Sequence, residues 1–201
     1  LEQNLVKTLK IAKACAEGHT RLIFSSSASV YGNLDSALPI GESAAMFPTN
    51  PYGATKMTAE NWFRIYKSLY GLEYVCLRYF NVYGPRQRAG SPYSGVIANW
   101  VHSLWMKKPL IVYGDGEQTR DFVHVDDVAK ANVKAIHAPT SKFHTYNISA
   151  ENRTSLNTIL KMLDQMTRHN FIVKFDDFRK GEVKDSIGNN VRAKVALEWE
   201  P

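Results

Sequence analysis

Two short apolar runs constrain this chain more than any other feature. Arg21-Leu22-Ile23-Phe24 and Tyr74-Val75-Cys76-Leu77-Arg78-Tyr79 are the length of strands, yet neither alternates cleanly between apolar and polar residues. Strands of that kind are covered on both faces, as in a parallel sheet with helices on either side. Each run follows a helical pattern and leads into a polar exit. Residues 2–17 place Leu5, Leu9, Ile11, Ala12 and Ala16 on one side and stop at Gly18. From Met57 the residues Met57, Trp62, Phe63, Tyr66 and Leu69 recur with a helical period until Gly71, with Asn50 as N-cap and Pro51 as first helical residue. Repetition of helix, strand and loop predicts an α/β protein with a doubly wound, Rossmann-type parallel sheet.

After residue 90 the rhythm changes. The pattern predicts a helix near 94–107, strands at 110–113, 119–125, 143–149 and 171–175, and helices over 126–137 and about 155–168. Asp126, Thr154 or Ser155, and Asn190 are the expected caps of the last three helices. The division expected is residues 1–90 as the second half of a dinucleotide-binding domain and 91–201 mainly as a smaller α/β substrate lobe. Segments near 119–149 return to the first domain.

Composition excludes several classes. The 201 residues carry 25 Lys and Arg against 19 Asp and Glu, a net charge of +6, but the basic residues are scattered. That argues against a nucleic-acid arm and suits an anionic small molecule. No apolar run approaches the length of a membrane span. Cys15 and Cys76 have no metal-binding spacing and read as small core residues, as in a reducing cytoplasm. The opening Leu1-Glu2-Gln3-Asn4 is not a signal peptide and has no initiator Met, so a piece of a longer protein is expected.

Tyr52 and Lys56, four residues apart at the start of a helix, share a face. An ammonium beside a phenol favours the phenolate, which makes a tyrosine usable as a general base. Alone, the spacing is short and more often marks a surface Tyr–Lys pair on an amphipathic helix. The run Ser25-Ser26-Ser27 lies at the carboxyl end of a strand, where open α/β sheets bind ligands.

Four long segments occur together: SSSASVYG at 25–32, NPYGATK at 50–56, RYFNVYGPRQ at 78–87 and GDGEQTRDFVHVDDVA at 114–129, with a weaker match in RKGEV at 179–183. This combination resembles the extended short-chain dehydrogenase/reductases, in their nucleotide-sugar epimerase/dehydratase branch. The resemblance implies NAD as cofactor, a UDP-sugar as substrate and a homodimer formed through helices that include the Tyr52 helix. It implies Ser27, Tyr52 and Lys56 as the catalytic set. Tyr52 would take the proton of a sugar hydroxyl, Lys56 would lower the tyrosine pKa and bind the nicotinamide ribose, and Ser27 would steady the reacting oxygen. Asn4, Ser25, Tyr79 and Phe80 would lie along the cofactor; at Asn4 the match is partial, because Lys7 replaces the family's glycine. Ser26, Asn81, Val96, Tyr113, Arg120, Arg153, Arg179, Glu182 and Ser186 would surround the substrate, the arginines at its diphosphate. Asp126 and Asp127 read as a helix cap and its first turn.

Related dehydratases carry Asp-Glu directly after the catalytic Ser or Thr, and related decarboxylases Ser-Glu. Here Ala28-Ser29 follows, with no carboxylate to eliminate water. The resemblance therefore implies oxidation and re-reduction at C4, an epimerisation of UDP-glucose/UDP-galactose or their N-acetyl forms. Ser186, at a position that limits sugar size, would leave room for an N-acetyl group. Another enzyme of the same branch (a reductase, dehydratase or decarboxylase), or a non-catalytic remnant that only binds a nucleotide sugar, are the alternatives. The family's opening GxxGxxG turn does not occur in the sequence. The expectation is that half of the NAD site is lacking, and that these residues alone bind NAD poorly, do not turn over, and expose unpaired strand edges.

Overall fold

The computed structural model describes all residues except 34–38, 92–93, 139–142, 169–170, 180 and 182. A π-helical turn, Glu2–Val6, runs into α1 (Lys7–Glu17). Strand β1 (Leu22–Ser27) ends in a single 3-10 turn, Ala28–Val30. Then follow α2 (Pro51–Tyr70), β2 (Tyr74–Tyr79), β3 (Asn81–Tyr83) and α3 (Val96–Trp105). The remainder is β4 (Leu110–Tyr113), β5 (Thr119–Arg120), β6 (Phe122–His124), α4 (Val125–Ile136) and β7 (Thr145–Ile148). It closes with β8 (Thr154–Ser155), α5 (Leu156–Thr167), β9 (Val173–Asp176) and α6 (Val191–Leu197).

The two apolar runs pair in parallel, from Leu22 opposite Tyr74 to Ser27 opposite Tyr79. β7 joins the other edge of β2, from Cys76 opposite Thr145 to Tyr79 opposite Ile148. This β1-β2-β7 sheet is covered on both faces, which is why its strands do not alternate. One face packs Phe24, Tyr74 and Cys76 against Ala12 and Ala16 of α1 and Ala59 and Phe63 of α2. Phe24 and Phe63 meet edge to face at 5.0 Å, and burying a side chain the size of Phe63 is worth roughly 2–3 kcal/mol. The other face packs Val75, Leu77, Tyr146 and Ile148 against α4 and α6, with Trp199 fully buried beside them. A separate apolar cluster joins α3, β4 and α5 through Trp100, Leu110, Val112, Leu156, Ile159 and Leu160. The smaller pairings are β3 with β6, β4 with β9, and β5 with β8.

Local chemistry sets the element ends. Asn50 Oδ1 accepts from Gly53 N at 2.9 Å and Pro51 opens α2; Gly71, at φ 70°, closes it by donating to Lys67 O, while Leu72 N donates to Tyr66 O. Several sequence expectations are corrected. α4 is capped by His124, whose Nδ1 accepts from Asp126 N at 3.3 Å, so Asp126 and Asp127 both lie in the first turn. The expected strand over 119–125 breaks at Asp121, which leaves the ladder to accept from Ala150 N at 2.7 Å and Gly188 N at 3.1 Å. Ser155, not Thr154, caps α5. Asn190 stands at the start of α6, but its amide donates to Ser149 O, and Asn189 Oδ1 accepts from Val191 N instead. Cys76 is buried, whereas Cys15 is only partly so. Ile11, Trp62 and Leu69 keep 57%, 40% and 64% of their surface, because the apolar stripes of α1 and α2 are wider than the sheet they cover.

Candidate active site

The carboxyl ends of β1 and β2 carry the polar groups. The three serines of β1 diverge. Ser25 O accepts from Lys56 Nζ at 2.7 Å, Ser26 Oγ turns inward to donate to Glu60 Oε1 at 2.5 Å, and Ser27 ends the strand. Ser27 Oγ accepts from Ser29 N and donates to Ser29 Oγ, each at 3.1 Å, so the tight turn fixes the position of the hydroxyl oxygen. The first turn of α2 lies directly against this turn. That approach requires Gly53: a Cβ there would sit 2.3 Å from Ser29 O. The glycine between Tyr52 and Ala54 thus lets the Tyr52–Lys56 turn reach the serine loop.

Lys56 Nζ lies 5.6 Å from the centroid of the Tyr52 ring and 4.6 Å from that of Phe24. Burial lowers the pKa of its ammonium from the ordinary lysine value, partly opposed by Cys76 and Glu60. Tyr79 OH donates to Asn132 Oδ1 at 2.9 Å and stands 3.2 Å from Ser25 Oγ. Glu60 binds the buried Arg78 through both oxygens, at 3.1 and 2.6 Å, and Arg78 also donates to Tyr31 OH at 2.8 Å.

A cavity of about 230 Å³ opens beside Ser27 and Tyr79; Tyr52 and Lys56 are not among its wall residues. The structure brings Ser27, Tyr79, Phe80, Asn81, Arg120 and Ser186 to its walls, together with Ser29 and Asn50. Asn81 Nδ2 donates to Asp121 O, and Arg120 Nη1 to the carbonyls of Thr119 and Lys184, which holds the 184–186 segment over the cavity. Asp121 itself is fully buried, and burial pushes its carboxyl up to about 6 against the pull of its backbone N–H partners.

Other candidates lie apart from this wall. Asn4 is in the π-helical turn before α1. Val96 opens α3 and packs partly buried beside Trp100. The Arg179 guanidinium stacks 3.8 Å from the centroid of Tyr113, which makes those two one unit. Arg153 is drawn away from the cavity: it pairs with Asp185 at 2.9 Å and donates to Thr119 Oγ1 at 3.0 Å. Glu182 lies outside the described residues. Ser29, Asn50 and Glu60 were not singled out by sequence reasoning. Glu60 follows Lys56 by one helical turn, a spacing that points to it; for Asn50 the cap role hid the second one. Among the described residues no cluster of His, Cys, Asp and Glu could hold a metal ion, and no helix is long and apolar enough to cross a membrane.

A parallel sheet with helices on both faces and polar strand exits around a cavity defines a Rossmann-type α/β protein. Residues 1–149 match the model of the NAD dependent epimerase/dehydratase family, and the chain belongs to that family. It is 36% identical over 182 residues to a putative UDP-glucose 4-epimerase of Methanocaldococcus jannaschii, covering 90% of this chain and 58% of that protein. Among solved structures it resembles the UDP-N-acetylglucosamine 4-epimerase of Methanobrevibacter ruminantium in complex with UDP-N-acetylmuramic acid. The TM-score is 0.92 and the identity 33%, over 100% of this chain and 64% of that one. The same figures hold for the UDP-glucose 4-epimerase of Thermotoga maritima with UDP-glucose. The chain spans less than two thirds of the length of these relatives. NAD is the cofactor of the family. The residues present fit its nicotinamide-ribose end: Lys56 spends one of three N–H donors on Ser25 O, which leaves two for a ribose hydroxyl.

Proposed function

We propose that the protein is an NAD-dependent epimerase acting at C4 of a UDP-sugar, either UDP-glucose/UDP-galactose or their N-acetyl forms. The observation that carries this reading is the docking of the Tyr52–Lys56 turn on the Ser27–Ser29 turn, beside a polar cavity, with no carboxylate following Ser27. Residues 1–90, with 119–149, form the cofactor side, and 91–201 mainly the nucleotide-sugar side.

NAD supplies the hydride acceptor and donor when bound. Tyr52 takes the proton of the 4-hydroxyl, with the nearby Lys56 charge favouring the phenolate. Ser27, oriented by the Ser29 N–H, swings its own O–H from Ser29 to the reacting oxygen and stabilises its developing charge. Ala28 and Ser29 offer no acid to expel a neighbouring hydroxyl, so the ketone turns over in the cavity and is reduced on its other face. Arg120 faces the diphosphate, and the Tyr113–Arg179 stack flanks the nucleotide. Ser186, small and on the cavity wall, admits an N-acetyl group; Ser186→Tyr suppresses turnover of acetylated sugars selectively.

Two copies pair through α1 and α2, whose outer surface exposes Ile11, Trp62, Ile65, Leu69 and Tyr70. The 201 residues alone bind NAD weakly and do not turn over. In support, β1 has no strand on its outer edge among the described residues, and the sequence has no glycine-rich pyrophosphate turn. A stoichiometric NAD complex of this chain would overturn that part.

Proton NMR of UDP-glucose and UDP-N-acetylglucosamine, incubated with NAD and the full gene product, tests the activity. Conversion to a gluco/galacto mixture that is lost in Tyr52→Phe is the expected result. Bound NAD without conversion of either sugar would refute the epimerase.

A further inference from the structure

Lys56 and Glu60, one helical turn apart on α2, both reach β1. The chemistry assigned above uses Lys56 and gives no part to Glu60 or to its partner Ser26. Resemblance grouped Ser26 with the substrate. The structure places it elsewhere: it is 2% exposed and is not a wall residue of the catalytic cavity.

Ser26 and Arg78 stand directly opposite each other in the β1–β2 ladder. The next pair of that ladder is Ser27 and Tyr79, both walls of the cavity. Strand alternation turns Ser26 and Arg78 to the α2 face of the sheet, with Phe24 and Cys76. There Glu60 Oε1 accepts from Ser26 Oγ at 2.5 Å and from Arg78 Nε at 3.1 Å, and Oε2 accepts from Arg78 Nη2 at 2.6 Å. One buried carboxylate thus ties β1, β2 and α2 together at the last level before the cavity. One turn back along α2, Lys56 Nζ bonds Ser25 O at 2.7 Å. The helix that carries Tyr52 therefore grips two consecutive residues of β1, immediately before Ser27.

The ion pair of Glu60 with Arg78 does not depend on the Ser26 hydroxyl, because both carboxylate oxygens stay bonded to the guanidinium without it. What that hydroxyl alone supplies is the bond between β1 and the carboxylate. The geometry points to Ser26 as a positioning residue: its bond to Glu60 fixes Ser27 Oγ relative to the Tyr52 turn. This rests on the reading of Ser27 and Tyr52 as the groups that handle the 4-hydroxyl. A donor to a developing charge works only at hydrogen-bond distance from the reacting oxygen, and a misplacement of about 1 Å costs about a hundredfold in rate.

The test is steady-state kinetics of the full gene product with NAD, on UDP-glucose and UDP-N-acetylglucosamine, for wild type, Ser26→Ala, Ser27→Ala and the double variant. Ser26→Ala is expected to lower kcat about tenfold or more and to leave KM within about twofold, as loss of an arrangement needed only in the transition state does. In the Ser27→Ala background, Ser26→Ala should change kcat by less than about twofold, since the hydroxyl it positions is already gone. A general loosening of the fold would instead lower kcat by the same factor in both backgrounds. That equal factor would overturn the proposal, and so would a Ser26→Ala variant with wild-type kcat. In either case the wild type still turns over, so the epimerase reading stands and this inference alone fails. A wild type that binds NAD and converts neither sugar removes both.

Discussion

Replacing Glu60 by Leu removes the partner of a buried cation. Its carboxylate is 6% exposed and the Arg78 guanidinium 5%, with 2.6 Å between Oε2 and Nη2. Burial alone would lower the arginine pKa, but its bonds to Glu60 outweigh that and raise it further. Guanidinium cannot shed its proton, so Glu60→Leu leaves a full charge under the sheet, held only by Tyr31 OH, Glu42 O and Met46 Sδ. Breaking such a pair from one side costs about 3–5 kcal/mol. With a urea dependence of roughly 2 kcal/mol per molar, the unfolding midpoint should fall by about 1.5–2.5 M. Arg78→Met should cost less, because the stranded carboxyl can take up a proton. The double variant, Glu60→Leu with Arg78→Met, should recover most of the loss. Urea denaturation followed by tryptophan fluorescence measures all three. A midpoint shift below about 0.5 M for Glu60→Leu would refute the reasoning, since it would mean that the pair is hydrated in solution.

Three further outcomes are expected. Asp121 has its carboxyl raised from 3.8 to about 6, so between those values the folded protein keeps a proton the unfolded chain has lost; stability should fall by up to about 3 kcal/mol as pH rises through that window. Asp121→Asn should flatten the slope, and an unchanged pH profile would count against the burial of that carboxyl. Gly53→Ala would gain about 1 kcal/mol from helix propensity alone, yet its Cβ would meet Ser29 O at 2.3 Å; a thermal melt should show net destabilisation, and a stabilised variant would disprove the close approach. If two copies pair through α2 as proposed, Leu69→Glu on its outer face should lower the sedimentation coefficient to that of a monomer, and a variant that sediments like a dimeric wild type would place the interface elsewhere.

The features legible in the sequence were those whose cause is local. Asn50, Pro51 and Gly71 mark the ends of α2 by their own backbone preferences, and the unalternating runs of β1 and β2 announce a sheet covered twice. What escaped depends on distant partners. His124 is a rare cap, and nothing in VHVDDVA favours it over Asp126 until the chain turns there. Asp121 breaks its strand because Ala150 and Gly188 arrive from far along the chain with N–H groups to satisfy. Arg153 was grouped with the diphosphate-binding arginines by resemblance; its ion pair with Asp185, 32 residues on, could not be read from the sequence. Of the site, Ser27, Asn81, Arg120 and Ser186 could be named in advance. Their meeting around one cavity could not, because it rests on long-range pairings: Asn81 of β3 lies opposite Phe122 of β6, and Ser186 N bonds Thr119 O beside Arg120.

Asn147 has a consequence for the order in which the molecule assembles. On β7, it accepts from Tyr31 OH, receives Glu42 on its backbone N–H, and donates its amide to Ile40 O and Asn189 O. These bonds close chain separations of 116, 105, 107 and 42 residues. Contacts across such spans form late, after the entropy of large loops has been overcome. A defect at Asn147 should therefore leave the folding rate nearly unchanged and speed unfolding. The 40–42 segment and Asn189, which Asn147 ties to β7, are then expected to order late and to loosen first.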